Sequence, residues 1–387
     1  MLVPERILAA LQAKAAQFST SERAQKKDLA ALGRTLETFE GLSLEECHKR
    51  LKNVTRPGAR PTTEKESHAI VLPFSESWPH HQAARAWAME TLQGAPTFAA
   101  DGSQITPSTD FSIPVAVVQV GWFENPHQAE GDYVKDVAVE VLTPDELDED
   151  HEANGFPSWS VNYCRFRLEV EAIIAYMRRK AGEKPAPLCF FDGSLIVSFA
   201  GLMQPERQQA YVEAVEALID ASQETEIPLV GYVDNSAARD LVDMLAHLDG
   251  LAPAGRLSDA ALLRERMAWG DRSQVFICAR NDNLERNEYY EKVCFTYLKT
   301  TGDGPPARLE FPRWIFAAGL HERLCDLVRG ECVVGTGYPY ALETADALAV
   351  LGAQDRQRFY RLFQDFSRRQ DLPLRYARKA RSKGGRR

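Results

Sequence analysis

Through about residue 55 the apolar positions recur at helical spacing. Ile7, Leu8 and Leu11 form one such set, and Leu29, Leu32 and Leu36 another, with charged residues between them. Thr20 and Ser21, directly ahead of ERAQKK, read as an N-cap and the start of a helix. The stretch VTRPGARPTTEKES (Val54 to Ser67) has two prolines, a glycine and mostly polar residues, so it reads as a linker or an exposed loop.

From about residue 96 the period changes. TFAADGSQI reads as a strand ending at Asp101. FSIPVAVVQVGWF (Phe111 to Phe123) is a second strand and DVAVEVL (Asp136 to Leu142) a third. The acidic run TPDELDEDHEANGFPS reads as a loop. Ser160 to Gly182 is a helix with an apolar stripe at Phe166, Val170, Ile173, Ile174 and Met177, and its last turn is basic, which suits the helix dipole. APLCFFDGSLI is almost wholly apolar, as a central buried strand should be. PERQQAYVEAVEALIDAS gives another helix and IPLVGYVDN a fifth strand. Helices follow at about 237–250 and 258–268. Strands come next at SQVFICA, EKVCFTYLKT and ARLEFPRW, and a loop then runs into closing helices from Gly337. Three strands, a helix, a central strand and then alternating helix and strand predict an α/β fold. The expected architecture is a ribonuclease-H-like mixed β-sheet flanked by helices, with an N-terminal helical region. The expected boundaries are 1–95 for the helical region and linker, 96–372 for the sheet domain and 373–387 for the tail.

Composition narrows the class. A chain of 387 residues, 44% hydrophobic and 26% charged, is globular and long enough for a large core. No apolar run reaches the length of a membrane span, and the N-terminus has no signal-peptide pattern. Seven cysteines, an odd number without Cys-x-x-Cys, argue against a disulfide framework or a structural zinc site and for a reducing cytoplasm. The net charge is −9, yet Arg375 to Arg387 holds seven Lys/Arg and no acid. Such a tail suits either a phosphate backbone or an acidic partner surface.

The candidate chemistry lies in a repeated tripeptide. Asp-Gly-Ser occurs at Asp101 to Ser103 and again at Asp192 to Ser194, each time after an apolar strand. In the expected sheet order these strands are neighbours. Asp101 and Asp192 then lie side by side, each glycine lets the backbone turn away and each serine can bond back into its turn. Two close carboxylates repel unless a proton or a divalent cation relieves them, and oxygen ligands suit Mg²⁺ or Mn²⁺. Two such ions would serve phosphodiester cleavage. The helix between the two strands supplies a third acid, Glu169 or Glu171. Asp234, in VDNS, is a further candidate beside its reading as a turn. There is no P-loop, no His-Glu-x-x-His and no nucleophile elbow.

FAADGSQ, LEVEA, FFDGSLI and GYPYALETADAL, in that order over roughly residues 96–350, together resemble the NurA family of prokaryotic DNA-repair nucleases. The resemblance implies a homodimeric nuclease using Mn²⁺ or Mg²⁺. Such an enzyme degrades single-stranded DNA, resects duplex ends 5′ to 3′ and works with the hexameric ATPase HerA. It implies metal-binding roles for Asp101, Asp192 and Glu169, the last favoured over Glu171 because it follows RFRL, and it brings in Tyr338 from the late motif. Family members usually carry histidine eight residues after that tyrosine, where this chain has Asp346. An aspartate can complete the metal shell but cannot act as a cation. Tyr340 stands as a helix-entry residue or a base-stacking one, and Arg308 and Arg313 as surface residues or phosphate contacts. The N-terminal helices are assigned to dimerisation or partner docking. The competing readings are a metal-dependent phosphatase and a catalytically weakened scaffold for the ATPase.

Overall fold

The computed structural model describes residues 2–67, 69–128, 130–148, 159–251, 257–284 and 287–375. Its elements begin with α1 (Pro4–Ala13), α2 (Ala15–Gly41), α3 (Leu44–Leu51), β1 (Gly58–Pro61), β2 (Val71–Leu72) and α4 (His81–Leu92). Then come β3 (Thr97–Ile105), β4 (Ala116–Asn125), β5 (Val134–Leu142), α5 (Pro144–Asp148), α6 (Trp159–Lys180), β6 (Leu188–Asp192), α7 (Pro205–Thr225) and β7 (Leu229–Val233). After these lie α8 (Asp240–Leu248), α9 (Asp259–Leu263), β8 (Arg272–Ser273), β9 (Phe276–Ala279), β10 (Val293–Leu298) and β11 (Ala307–Pro312). The chain closes with α10 (Arg313–Ala317), α11 (His321–Val334), α12 (Tyr340–Ala349) and α13 (Ala353–Arg369). No described helix is long and apolar enough to cross a membrane.

The chain forms two compact units, each assembled from two separate stretches. One joins Met1–Ser77 with Val233–Arg313. Its antiparallel strands run in the order β1-β9-β10-β11, with β8 pairing both β2 and β10. Three readings change here. The segment expected as a linker is built into this unit, because β1 pairs residue by residue with β9 from Gly58↔Ala279 to Pro61↔Phe276. Its polar residues bond inward: Glu64 accepts from Arg272 at 2.6 Å and from the Val275 amide at 2.7 Å. Composition alone made this stretch look solvated. Thr20 and Ser21 start no helix, since α2 runs straight through them and Thr20 Oγ1 donates to the Ala16 carbonyl at 2.9 Å. Arg308 is neither a surface residue nor a phosphate contact. It is 1% exposed, lies over the Phe295 ring at 3.8 Å, donates to Glu310 at 2.6 Å and pairs with Asp240 at 2.8 Å. Arg313 is exposed at the start of α10. Asp234 is exposed in the turn after β7, where it accepts from Asn235 at 2.9 Å.

The second unit joins Trp78–Tyr232 with Trp314–Arg387. Its strands run β5-β4-β3-β6-β7. The first three form an antiparallel meander, and β6 and β7 add parallel strands beside β3. In order of occurrence within the unit this is 3-2-1-4-5, the ribonuclease-H-like mixed sheet that the strand order predicted. α6 and α12 both pack on β3 and β4. They take opposite faces, because successive residues of a strand point to opposite sides. A Cβ on Gly102 would strike Arg165 and Glu169 of α6, whereas one on Gly121, paired with Asp101, would come within 2.8 Å of Leu348 of α12. The acidic run after β5 begins as the short helix α5 rather than as a loop, and residues 149–158 lie outside the described residues. All of the basic tail after Arg375 also lies outside them. Neither α4 nor α11 was expected from the sequence.

Candidate active site

β3 and β6 run parallel with Ala100 opposite Phe191, so the next position on each strand is an aspartate. Asp101 and Asp192 therefore stand side by side on one face, at the ~4.8 Å strand spacing. The two Asp-Gly-Ser motifs do different work. At Asp192 the strand ends. Gly193 adopts φ +134°, a region that favours glycine, and its amide donates to the Tyr232 carbonyl at 3.1 Å. Ser194 Oγ accepts from the Ile196 amide at 3.0 Å, closing the turn as expected. Asp101, by contrast, does not end its strand. β3 continues to Ile105 because β4 still pairs with it there, and only the parallel neighbour stops. Gly102 makes no turn. Its missing side chain leaves room for α6: a Cβ there would lie 2.5 Å from Glu169 Oε1 and 2.6 Å from Arg165 Cγ. Ser103 Oγ accepts from the Leu351 amide at 3.1 Å and so holds the chain just beyond α12.

The structure separates the two glutamates of α6. Glu169 is 8% exposed and sits among the acids. Glu171 is exposed, with its carboxylate taken up by Arg167 at 2.9 Å. The fourth carboxylate, Asp346, comes from α12 and hydrogen-bonds Asp101. Tyr338 Oη donates to Asp192 Oδ1 at 2.8 Å, and its ring stands edge-on to Tyr232 at 5.1 Å. A tight turn aims it. Thr336 and Gly337 have φ of +56° and +108°, and a Cβ on Gly335 would fall 2.1 Å from the Tyr338 carbonyl oxygen. Tyr340 packs edge-on against Phe123 at 5.9 Å, as a helix-entry residue does. Asp192, Gly335, Thr336, Tyr338, Glu343 and Asp346 line a cleft of about 380 Å³.

Glu331 was missed by the sequence reading. This fully buried carboxylate of α11 accepts from Ala341 N at 2.8 Å, capping α12, and from Thr97 Oγ1 at 2.9 Å on β3. At the other end of α12, Gln119 Nε2 donates to the carbonyls of Leu348 and Ala349. Pinned at both ends, α12 holds Asp346 against Asp101. No local pattern marks Glu331, because it lies mid-helix in an element the periodicity did not reveal.

The electrostatics follow from crowding. Burial, reinforced by Asp192 and Asp346, raises the Asp101 carboxyl to about 6, against a pull from the Gly102 amide. Burial raises Glu169 to about 8. Asp101 and Asp192 push it the same way, and Arg165 and the Gly102 amide pull it back. Together the carboxylates of Asp101, Glu169, Asp192 and Asp346 make a hard oxygen donor set, in which Asp101 and Glu169 hold their protons more tightly than usual. The residues lining the cleft offer no histidine or cysteine. That set fits Mg²⁺ or Mn²⁺ and not a soft metal. Gly102→Ala is expected to push Glu169 and Arg165 apart. It should weaken Mn²⁺ binding at least about tenfold and cost ~1–3 kcal/mol of stability, read by calorimetric titration and thermal melting.

Residues 96–351, well over half of the chain, match the family described as the NurA domain. Among solved structures the chain is similar to a crystal structure of NurA with manganese, at 10% identity and a TM-score of 0.38, covering 70% of this chain and 89% of that one. It is also similar to the catalytic domain of human endonuclease V, at 13% identity and a TM-score of 0.33, covering 81% of this chain and 100% of that one. For the A. aeolicus Argonaute the values are 11% and 0.30, with 66% of this chain and 28% of that one covered. No curated protein matches the chain.

Proposed function

Because this chain belongs to the NurA family, we propose that its carboxylate cleft is the active site of a divalent-metal-dependent deoxyribonuclease. One observation carries the reading: Asp192 and Asp346 line one cleft beside Tyr338, Asp346 hydrogen-bonds Asp101, and Glu169 is buried within reach of the charges of Asp101 and Asp192. Asp101, Glu169, Asp192 and Asp346 would hold the metal, as a pair of ions. Bound there, Mn²⁺ or Mg²⁺ supplies Lewis acidity toward phosphate oxygens and lowers the pKa of water.

The chain's own groups do the rest. Glu169, raised to about 8, holds a proton at neutral pH that it would release on taking a cation, whereas Asp101, raised only to about 6, would need to lose little. Tyr338 keeps Asp192 in one orientation through its hydroxyl. Asp346 stands where family members usually carry histidine. It offers an oxygen ligand in place of an imidazole nitrogen.

The finer reading rests on the family. The enzyme would process DNA ends, as a 5′ to 3′ exonuclease and single-strand endonuclease, for repair with a HerA-type ATPase. It would act as a homodimer in a cytoplasm whose reducing conditions suit seven buried, unpaired cysteines. Exposed apolar residues support self-association or docking: Ile7, Leu8, Leu11 and Phe18 on α1 and α2, and Val137, Val139 and Val141 on the edge strand β5. The test is cleavage of 5′- and 3′-labelled single-stranded and duplex DNA with Mn²⁺, Mg²⁺ or EDTA, with and without a HerA-type ATPase. Metal-dependent cleavage is expected, with the label pattern reporting polarity. Wild-type protein that cuts nothing under any of these conditions would sink the nuclease reading.

A further inference from the structure

The first half of α6 carries two adjacent stripes, one of which ends at Glu169, that the carboxylate site leaves otherwise unused. Asn162, Arg165 and Glu169 follow at three- and four-residue spacing, so they line one stripe that leads to the acids. Trp159, Tyr163 and Phe166 line the next stripe round the helix. The Trp159 and Tyr163 rings stack at 5.3 Å and 2°. Tyr163, Phe166 and Phe199 each meet Tyr211 edge-on, at 5.2, 4.9 and 5.0 Å. Phe166 also meets Phe191, the residue before Asp192, at 5.8 Å. Phe199 leaves half of its surface to solvent, and Arg207 lies over the Trp159 ring at 4.9 Å.

The polar stripe is underused. Arg165 Nε is buried without a hydrogen-bond partner, and its ion pair with Glu169 Oε1 is long, at 3.6 Å. Two residues on, Arg167 is fully committed, with bonds of 2.9–3.1 Å to both Glu140 and Glu171. Gln104, next to Arg165 along the β3 seam, donates to Asn162 at 2.6 Å while its own Oε1 is buried and unpaired. A cation held by Glu169 would compete with Arg165 for that carboxyl. An arginine with an idle donor at a phosphodiesterase site, flanked by a row of partly open rings, has the chemistry of a single-strand track. The arginine takes a phosphate and the rings take bases, whatever their sequence.

We infer that this face of α6, with Arg165 at its centre and the Trp159, Tyr163 and Phe199 rings beside it, is a subsite that holds single-stranded nucleic acid next to the cleaved phosphate. The inference rests on the nuclease reading and assigns the side from which the strand approaches. From Trp159 to Glu169 the helix rises about 15 Å, enough for a few nucleotides.

The experiment uses the full chain and two substrates. Fluorescence anisotropy measures binding of a labelled oligothymidylate, with Ca²⁺ in place of Mn²⁺, over a series of salt concentrations. Turnover of thymidine 5′-(p-nitrophenyl phosphate) with Mn²⁺ reports the chemistry without the track. Phe199→Ala is expected to weaken oligonucleotide binding by about tenfold and leave turnover of the small diester within about threefold. Arg165→Ala is expected to lower the salt slope by about 0.7, one phosphate contact on a single strand. Arg165→Lys should restore the slope, which separates lost charge from lost folding. Unchanged affinity and slope in both alanine variants would overturn the inference. So would a change in sedimentation without a change in DNA affinity, which would mark the rings as a protein interface. Wild-type protein that turns over neither DNA nor the small diester would overturn the nuclease reading, while the binding data still decide the track.

Discussion

Asp192→Asn is expected to lower Mn²⁺-dependent DNA cleavage by roughly three orders of magnitude or more while leaving the fold intact. The substitution is clean for a geometric reason. Asp192 is the last residue of β6, exposed at the cleft, and Oδ1 accepts the Tyr338 hydroxyl at 2.8 Å. Asparagine keeps a carbonyl oxygen for that hydrogen bond, and the parallel pairing of Asp192 with Tyr232 involves only backbone. What disappears is one negative charge from the four that fit a divalent cation. Single-turnover cleavage of labelled single-stranded DNA, with a thermal melt as control, measures both sides. A variant that melts like wild type and retains more than about a tenth of its rate would remove Asp192 from the metal site. A variant that also loses Mn²⁺ affinity in a calorimetric titration, with its melt unchanged, would place it there independently of turnover.

Glu169→Gln is expected to stabilise the metal-free protein at alkaline pH. Glu169 is 8% exposed, and its carboxyl is raised from 4.5 to about 8 by burial and by Asp101 and Asp192. Between those two values the folded chain binds a proton that the unfolded chain has released. Folding stability therefore falls as pH rises from about 4.5 to about 8, and above that the full cost remains. Glutamine has no proton to lose. In EDTA the variant should match wild type near pH 4.5 and exceed it at pH 8, by on the order of 2–4 kcal/mol, seen as several degrees in the melting temperature. Mn²⁺ should reverse the ranking, because only wild type retains the full donor set and ligand binding stabilises the state that binds. Curves for the two proteins that run parallel from pH 4.5 to pH 8 in EDTA would mean that Glu169 is not crowded by its neighbours. The same balance explains why such a site is costly to fold: the acids that suit a cation repel one another without it.

How far the site was legible depends on the range of each signal. Asp101 and Asp192 were found from a repeated tripeptide behind apolar strands, a pattern confined to a few residues. Their adjacency followed from the order of elements, since a meander followed by strand and helix in alternation leaves few ways to build the sheet. Tyr338 and Asp346 came from a resemblance of short motifs. The choice between Glu169 and Glu171 did not lie in the sequence as physics. Both border the apolar stripe, and only the packing of α6 against Gly102 buries one while Arg167 claims the other.

The misreadings share one cause. The segment after Val54 has the composition of a loop, Arg308 carries a charge, and Thr20 and Ser21 are common caps. Composition predicts where a residue would sit if it had no partners. Glu64 found Arg272, Arg308 found Asp240, Glu310 and Tyr297, and Thr20 found the carbonyl one turn back. Each partner of the first two lies too far along the chain, or too deep in a core, for any local window to reveal.

By itself, then, the amino-acid sequence determined most of the helices and strands around the sheet, though not α4, α11 or β1, together with the ribonuclease-H-like order of the sheet and the adjacency of Asp101 and Asp192. These depend on periodicity and turn chemistry, which act over a few residues. The tertiary structure alone decided how α6 buries Glu169 against Gly102 while Arg167 claims Glu171, how Glu331, Ser103 and Gln119 pin α12 so that Asp346 reaches Asp101, and how burial raises Asp101 and Glu169. Those outcomes depend on contacts between elements as much as 248 residues apart, such as the one from Ser103 to Leu351. The energy of a buried carboxylate is set by what surrounds it and not by its neighbours in the chain.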